Sequence, residues 1–78
     1  MPIVDDQKAD RLGKIIQTLM NEKLNNFAGR IIQAYGYDPI EMMHKLDELE
    51  KAVKKCDNTD IENILLYLEN RQKKFHQY

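Results

Sequence analysis

Residues 35–41 read YGYDPIE, and this stretch indicates where one helix ends and the next begins. Gly36 is expected to take the left-handed conformation that commonly closes a helix. Asp38 can accept hydrogen bonds from the free N–H groups of a following helix, and Pro39 fits the first turn of that helix. The chain is therefore predicted to reverse direction here, as an antiparallel helical hairpin.

The segment before this turn predicts one long helix from about Asp6 to Tyr35, because its apolar residues recur in steps of three and four. These residues are Ala9, Leu12, Ile16, Leu19, Met20, Leu24, Phe27, Ile31 and Ala34 or Tyr35. Two successive steps of four, from Ile16 through Met20 to Leu24, rotate the apolar stripe around the helix. Residues 21–26 also contain three asparagines, which are mediocre helix formers. We favour a continuous or kinked helix. The alternative is a clean break at 21–26, and that break would give four helices in total.

Two further helices are predicted after the turn. The first, from Pro39 to Cys56, has an apolar seam in steps of four and three: Met42, Leu46, Leu49, Val53 and Cys56. Thr59 and Glu62 then have the spacing of a capping box, which predicts a last helix over about residues 60–76. The predicted fold is all-α: an antiparallel bundle of three helices in a single domain, residues 1–78.

The predicted helix lengths leave part of the first helix uncovered. At 1.5 Å per residue this helix would extend roughly 45 Å, and the other two roughly 26 Å each. Either the first helix folds back, which gives a four-helix monomer, or a second subunit covers the excess. A chain of 78 residues builds only a small core, so we predict a homodimer that buries Leu12, Ile16 and Leu19.

The last predicted helix is apolar around most of its circumference. At about 100° per residue, Leu66 lies nearly opposite the stripe of Ile61, Leu65 and Leu68, and Tyr67 flanks that stripe. Leu66 is either an ordinary exposed leucine or, together with Tyr67, part of an interface.

A protein-binding function follows from the apolar side chains that the core does not use. Aromatic residues and methionine are enriched at protein interfaces. Six such side chains and one leucine lie at helix ends or away from the main stripes: Tyr35, Tyr37, Met43, Leu66, Tyr67, Phe75 and Tyr78. We predict a small non-enzymatic protein–protein interaction module, an adaptor, inhibitor or assembly factor, that binds another protein through them.

The sequence offers little for catalysis or for a cofactor. It contains no serine, and its single Cys56 ends the apolar seam, where a small buried residue is expected. Glu41 and His44 have the Glu-x-x-His spacing of helix-borne metal ligands, but they lie away from the seam and the pattern occurs once. We therefore predict no catalytic residue, no cofactor and no metal site.

Nucleic-acid binding is the alternative function. Arg71, Lys73 and Lys74 lie near the end of the last helix with aromatic residues beside them, and they could contact phosphates. Cations near a helix C-terminus are also favoured by the helix dipole alone. The formal net charge of −1 gives no general attraction to nucleic acid or to a membrane surface, so a protein partner is preferred.

The cytoplasm is the expected location. One cysteine cannot form an internal disulfide, which suits a reducing compartment. The first residues lack the basic and apolar regions of a signal peptide, and the uncharged runs are too short to span a membrane.

Overall fold

The computed structural model describes the backbone of residues 6–76 and the side chains of residues 7–73. Within this range every regular element is a helix, which confirms the all-α class. The helices are α1 (Asp6–Asn21), α2 (Asn25–Tyr37), α3 (Pro39–His44), α4 (Leu46–Lys54) and α5 (Asn58–His76). Two of the three predicted helices are thus each divided in two.

The first division lies between α1 and α2. Lys23 adopts a left-handed backbone conformation, with φ of 67°. Its N–H donates to the carbonyl of Met20 at 3.1 Å, and the N–H of Leu24 donates to Leu19 at 2.8 Å. This is the Schellman pattern that ends a helix. The preferred prediction of a continuous helix is wrong, and the alternative of a break at 21–26 is correct.

The predicted first helix breaks because its first half, α1, folds back onto the rest of the chain. α1 packs against α2 and α4 of the same chain, and Leu12, Ile15 and Leu19 enter the core. Burial of each such side chain stabilises the fold by about 1.5–3 kcal/mol, so the three together exceed the roughly 1–2 kcal/mol that a left-handed lysine costs. Because Leu12 and Leu19 are buried and Ile16 is half-buried within one chain, the uncovered stripe expected from helix lengths does not exist.

The turn between α2 and α3 consists of Asp38 alone. Its N–H donates to the carbonyl of Ala34 at 2.9 Å and closes α2, and its Oδ1 accepts from the N–H of Glu41 at 3.2 Å and caps α3. Pro39 occupies the first turn of α3, as predicted. Gly36 is not left-handed and lies inside α2, so its predicted role is wrong.

The second division lies at Lys45, where the backbone takes φ of −94° and ψ of 2°. The N–H of Lys45 bonds the carbonyls of Glu41 and Met42 at 3.2 and 3.1 Å, which tightens the last turn of α3. The seam of Met42, Leu46, Leu49 and Val53 is buried as predicted.

Cys56 and the start of α5 differ from the prediction. Cys56 is exposed and left-handed, with φ of 55°, and it forms a second Schellman turn: its N–H donates to Val53 and that of Asp57 to Ala52. Asp57 Oδ1 accepts from the N–H of Asp60 at 3.1 Å and caps α5. The predicted capping box of Thr59 and Glu62 is therefore wrong, because the aspartate two residues earlier in the chain already caps the helix.

All five helices contribute to one apolar core. The largest side chains that are fully buried are Leu19, Ile31, Met42, Leu46, Leu49, Ile61 and Leu65. Each of the five helices supplies at least one of these side chains, so no helix packs independently of the rest.

Two arginines connect helices across the surface of this core. Arg11 of α1 donates to Asp47 at 2.6 Å and to Glu50 at 2.8 and 3.2 Å, both in α4. Arg30 of α2 donates two hydrogen bonds to each of Glu62 and Glu69 in α5. We call these two clusters the Arg11 clamp and the Arg30 clamp.

Candidate protein-binding surface

The structure separates the predicted partner-binding residues by exposure. Met43 is only 7% exposed and belongs to the core, so its prediction is wrong. Tyr35 is half-buried and packs against the core. Tyr37, Leu66 and Tyr67 are exposed.

Met43 is buried because α3 packs against both α2 and α4. The buried face of α3 is therefore wider than a seam of one side chain. The side chains of Phe75 and Tyr78, which were also predicted to bind a partner, lie outside the described residues.

The α2–α3 turn runs antiparallel along the C-terminal half of α5. Tyr37 donates its hydroxyl hydrogen to the carbonyl of Gln72 at 3.4 Å, and Arg71 Nη2 lies 3.4 Å from Asp38 Oδ2. Further along, Tyr67 donates to Glu41 Oε2 at 2.8 Å. These three contacts bring exposed aromatic side chains from two distant parts of the sequence to one side of the molecule.

The ring of Tyr67 is fixed at two points. Its hydroxyl is bound by Glu41, and the ammonium group of Lys45 lies 4.5 Å from the ring centroid. Such a cation–π contact contributes about 0.5–1 kcal/mol at an exposed site. Tyr67 nevertheless remains 41% exposed, and Ile40, which precedes Glu41 in α3, is 51% exposed. We call Tyr37, Ile40, Glu41, Lys45 and Tyr67 the Tyr67 surface.

A shallow groove borders the Tyr67 surface between α4 and α5. Its volume is about 210 Å³, and it is lined by Lys45, Glu48, Asn63, Ile64 and Tyr67. Lys45 Nζ lies 3.5 Å from Glu48 Oε2, so the groove carries both charges on its α4 side and the half-buried Ile64 on its α5 side.

Charges at the Tyr67 surface are balanced by neighbours. The hydrogen bond from Tyr67 lowers the pKa of Glu41, partial burial opposes this, and the charges of Arg71 and His44 lower the pKa further. Burial disfavours the charged form of Arg71, but Glu41 and Asp38 more than compensate and raise its pKa. Glu41 is therefore a carboxylate near neutral pH, ready to accept hydrogen bonds.

Leu66 lies on a different flank of α5 from Tyr67. Its neighbours one turn away on the helix are Glu62 and Glu69, which bind Arg30 of α2, whereas Tyr67 faces α3. Leu66 remains an exposed leucine beside the Arg30 clamp.

Sequence reasoning missed Ile40, Lys45 and the two arginine clamps. Ile40 is apolar and lies outside the predicted seam, and this position alone would predict an exposed apolar side chain. The clamps join residues that are 32–39 positions apart, so no local spacing reveals them.

The alternative nucleic-acid site is only partly basic. Arg71 pairs with Asp38, and the other two arginines of the chain bind carboxylates in the clamps. Lys73 is exposed, and the side chain of Lys74 lies outside the described residues. Every arginine of the chain therefore has a carboxylate beside it, where a phosphate would have to compete.

Glu41 and His44, the predicted pair with metal-ligand spacing, contact one another, with Nδ1 3.4 Å from Oε1. Residues 7–73 contain no group of three or more histidine, cysteine or acidic side chains arranged to hold a metal ion. In the described part of the chain, no helix is both long and apolar enough to cross a membrane.

Comparison with family models, curated proteins and solved structures found no match to this chain.

Proposed function

We propose that this chain is a small non-enzymatic interaction module, an adaptor, inhibitor or assembly factor, that binds a partner protein through the Tyr67 surface. The observation that carries the proposal is the state of the Tyr67 ring, which is fixed by Glu41 and Lys45 and still 41% exposed. Binding normally costs the ordering of interface side chains, and a ring that is already held in place avoids much of that cost. Aromatic anchors of this kind dominate the energy of many interfaces.

The neighbouring residues support an interface with an apolar centre and a polar rim. Tyr37 and Ile40 add exposed apolar area, while Glu41 and Lys45 supply an acceptor and a donor beside it. This arrangement matches the usual anatomy of protein interfaces. We therefore expect the partner to present an apolar side chain to the ring and polar groups to its edge.

The test compares three purified variants as bait for partners from the native host. Tyr37→Ser/Tyr67→Ser removes both rings, and Tyr67→Phe keeps the ring and loses the bond to Glu41. Met20→Gln is the control and changes a more exposed apolar residue in α1. We expect the double variant to lose partner capture, Tyr67→Phe to weaken it because Glu41 no longer holds the ring, and Met20→Gln to retain it, with circular dichroism unchanged in all three.

Two outcomes would overturn the proposal. One is capture that survives in the double variant. The other is a salt-sensitive gel shift with DNA or RNA that disappears in Lys73→Gln/Lys74→Gln, which would favour the alternative nucleic-acid function.

Self-association and a cytoplasmic location belong to the same proposal. A single cysteine suits a reducing compartment. A homodimer would add core to a chain of this size, but Leu12 and Leu19 cannot serve as its surface while α1 stays folded back. Any dimer through these residues requires α1 to move.

A further inference from the structure

The connection between α1 and α2 is short and strained. Only residues 22–24 separate the two helices, and Lys23 occupies the left-handed region with a β-carbon that disfavours it. Strained short hinges between packed helices are the usual starting point for exchange of an element between two copies of a chain.

The residues of this hinge are compatible with a continuous helix. Glu22, Lys23 and Leu24 are all good helix formers. A single helix from Asp6 to Tyr37 would extend roughly 48 Å. In that form Lys23 would return to ordinary helical geometry, and its strain would be released.

The core contacts and the Arg11 clamp hold α1 against other helices. Leu12, Ile15 and Leu19 pack into a core built by the other four helices, and Arg11 binds Asp47 and Glu50 of α4. If the hinge straightened, α1 would leave this site, and the site would keep a shape and charge complementary to α1. The segment that fits it best is α1 of a second copy.

We infer that two copies of this chain exchange α1, so that α1 of each copy fills the site vacated in the other. The exchanged dimer reproduces the core and both Arg11 clamps between chains, and it removes the strain at two Lys23 residues. The exchange provides a mechanism for the proposed self-association, and the inference rests on that part of the proposed function. The Tyr67 surface is made by α2, α3 and α5 and is unaffected by the exchange.

Opening requires three buried side chains of α1 to leave the core, so we expect the exchange to be slow for the folded monomer. It should be efficient when the chain refolds from denaturant at high concentration, because open chains then meet before α1 folds back.

Charge reversal of the Arg11 clamp tests the exchange directly. One chain carries Arg11→Glu, and the other carries Asp47→Arg/Glu50→Arg. Alone, each chain has like charges facing one another at its clamp, in the monomer and in an exchanged homodimer alike. In an exchanged dimer of the two different chains, one clamp is native and the other has reversed but complementary charges.

We expect co-refolding to yield mostly the mixed dimer, as measured by native mass spectrometry and by light scattering. If each reversed chain alone fails to fold, recovery of helix content on mixing reports the same exchange. A mixture of monomers would overturn both the exchange and self-association. Dimers formed in the statistical proportions of the two chains would overturn the exchange and leave self-association through another surface.

The hinge provides a second test in the otherwise native chain. Lys23→Gly relieves the strain of the monomer and weakens a continuous helix, so it should raise the dissociation constant of the dimer by roughly tenfold or more, since two hinges contribute. Lys23→Ala keeps the β-carbon and suits a continuous helix, so it should leave that constant unchanged or lower it. Equal dissociation constants in all three chains would contradict the exchange.

Discussion

Arg30 binds Glu69 through two hydrogen bonds, Nε to Oε2 at 2.7 Å and Nη2 to Oε1 at 2.8 Å, and thereby connects α2 to α5. Only 20% of the Arg30 side chain is exposed, so solvent screens this pair less than a typical surface ion pair. Arg30→Lys keeps the charge but loses the planar fork, and we expect it to lower the free energy of unfolding by about 1 kcal/mol. Urea unfolding measures the loss. The matched Arg11→Lys, at a more exposed clamp, should cost less; a larger loss at Arg11 would contradict this ranking.

Stability should fall in acid because several carboxylates have lowered pKa values in the folded chain. The hydrogen bond from Arg30 lowers the pKa of Glu62, and that from Arg11 lowers the pKa of Asp47 and of Glu50. A group whose pKa is lowered by folding stabilises the fold above its unfolded pKa, which is about 4, and loses that contribution as the pH falls through the lower folded value. The melting temperature should therefore drop between about pH 5 and about pH 2. Arg30→Gln should show a smaller drop than the native chain, since Glu62 then titrates nearer its ordinary value.

Two glycines weaken their helices without serving a visible purpose in the monomer. Gly13 lies within α1 and Gly29 within α2, and a β-carbon added at either would meet nothing within 4 Å. Replacement by alanine should raise the free energy of unfolding by about 0.5–1 kcal/mol at each site. Chemical denaturation measures the change. A loss of stability at either site would contradict the open space around that glycine.

Substitution by glycine should stabilise the fold at the two left-handed residues, although it destabilises the fold at ordinary helix positions. Lys23 and Cys56 have φ of 67° and 55°, where glycine carries no steric penalty. Lys23→Gly and Cys56→Gly should each stabilise the monomer by about 1 kcal/mol. Lys23→Ala and Cys56→Ala, which keep the β-carbon, serve as controls and should gain little. A gain in the alanine variants equal to that of glycine would mean that the strain is absent.

Ile40 and Met43 of the short helix α3 should differ sharply in their tolerance of a polar side chain. Ile40 is half exposed and Met43 is buried. Met43→Gln should cost about 2–3 kcal/mol because it places an amide in the core, whereas Ile40→Gln should change stability by less than about 0.5 kcal/mol. Thermal unfolding separates the two. Similar costs at both positions would contradict the burial of Met43 in solution.

The predictable parts of this fold are those that depend on neighbouring residues. The helical class follows from periodicity, and the Asp38–Pro39 start of α3 follows from capping chemistry. The breaks at Lys23 and at Lys45 and the turn at Cys56 are different. Left-handed turns are usually marked by glycine or asparagine, and Lys23 and Cys56 are neither; Lys45 is not left-handed and carries no glycine or proline that would mark a break. Burial of α1 by distant helices forces the first break, and local spacing does not reveal such a long-range effect.

The candidate surface also combines features set by neighbouring residues with features set by distant ones. Tyr37 and Tyr67 were predicted as exposed aromatics because they lie off the apolar stripes. Their placement on one side of the molecule depends on the turn at Asp38, which brings Glu41 to Tyr67 across 26 positions of sequence. Leu66 and Tyr67 are both predicted to lie off the apolar stripe, and which helix each of them adjoins depends on contacts between distant parts of the chain.

The length of α3 has a consequence for detecting a partner. α3 spans six residues, fewer than two turns, and a helix that short does not persist in water without tertiary support. Part of that support is the bond between Glu41 and Tyr67 at the exposed surface. Occupation of the surface will therefore change how often residues 39–44 open to solvent, and the rate of amide hydrogen exchange in this segment serves as an internal reporter of binding.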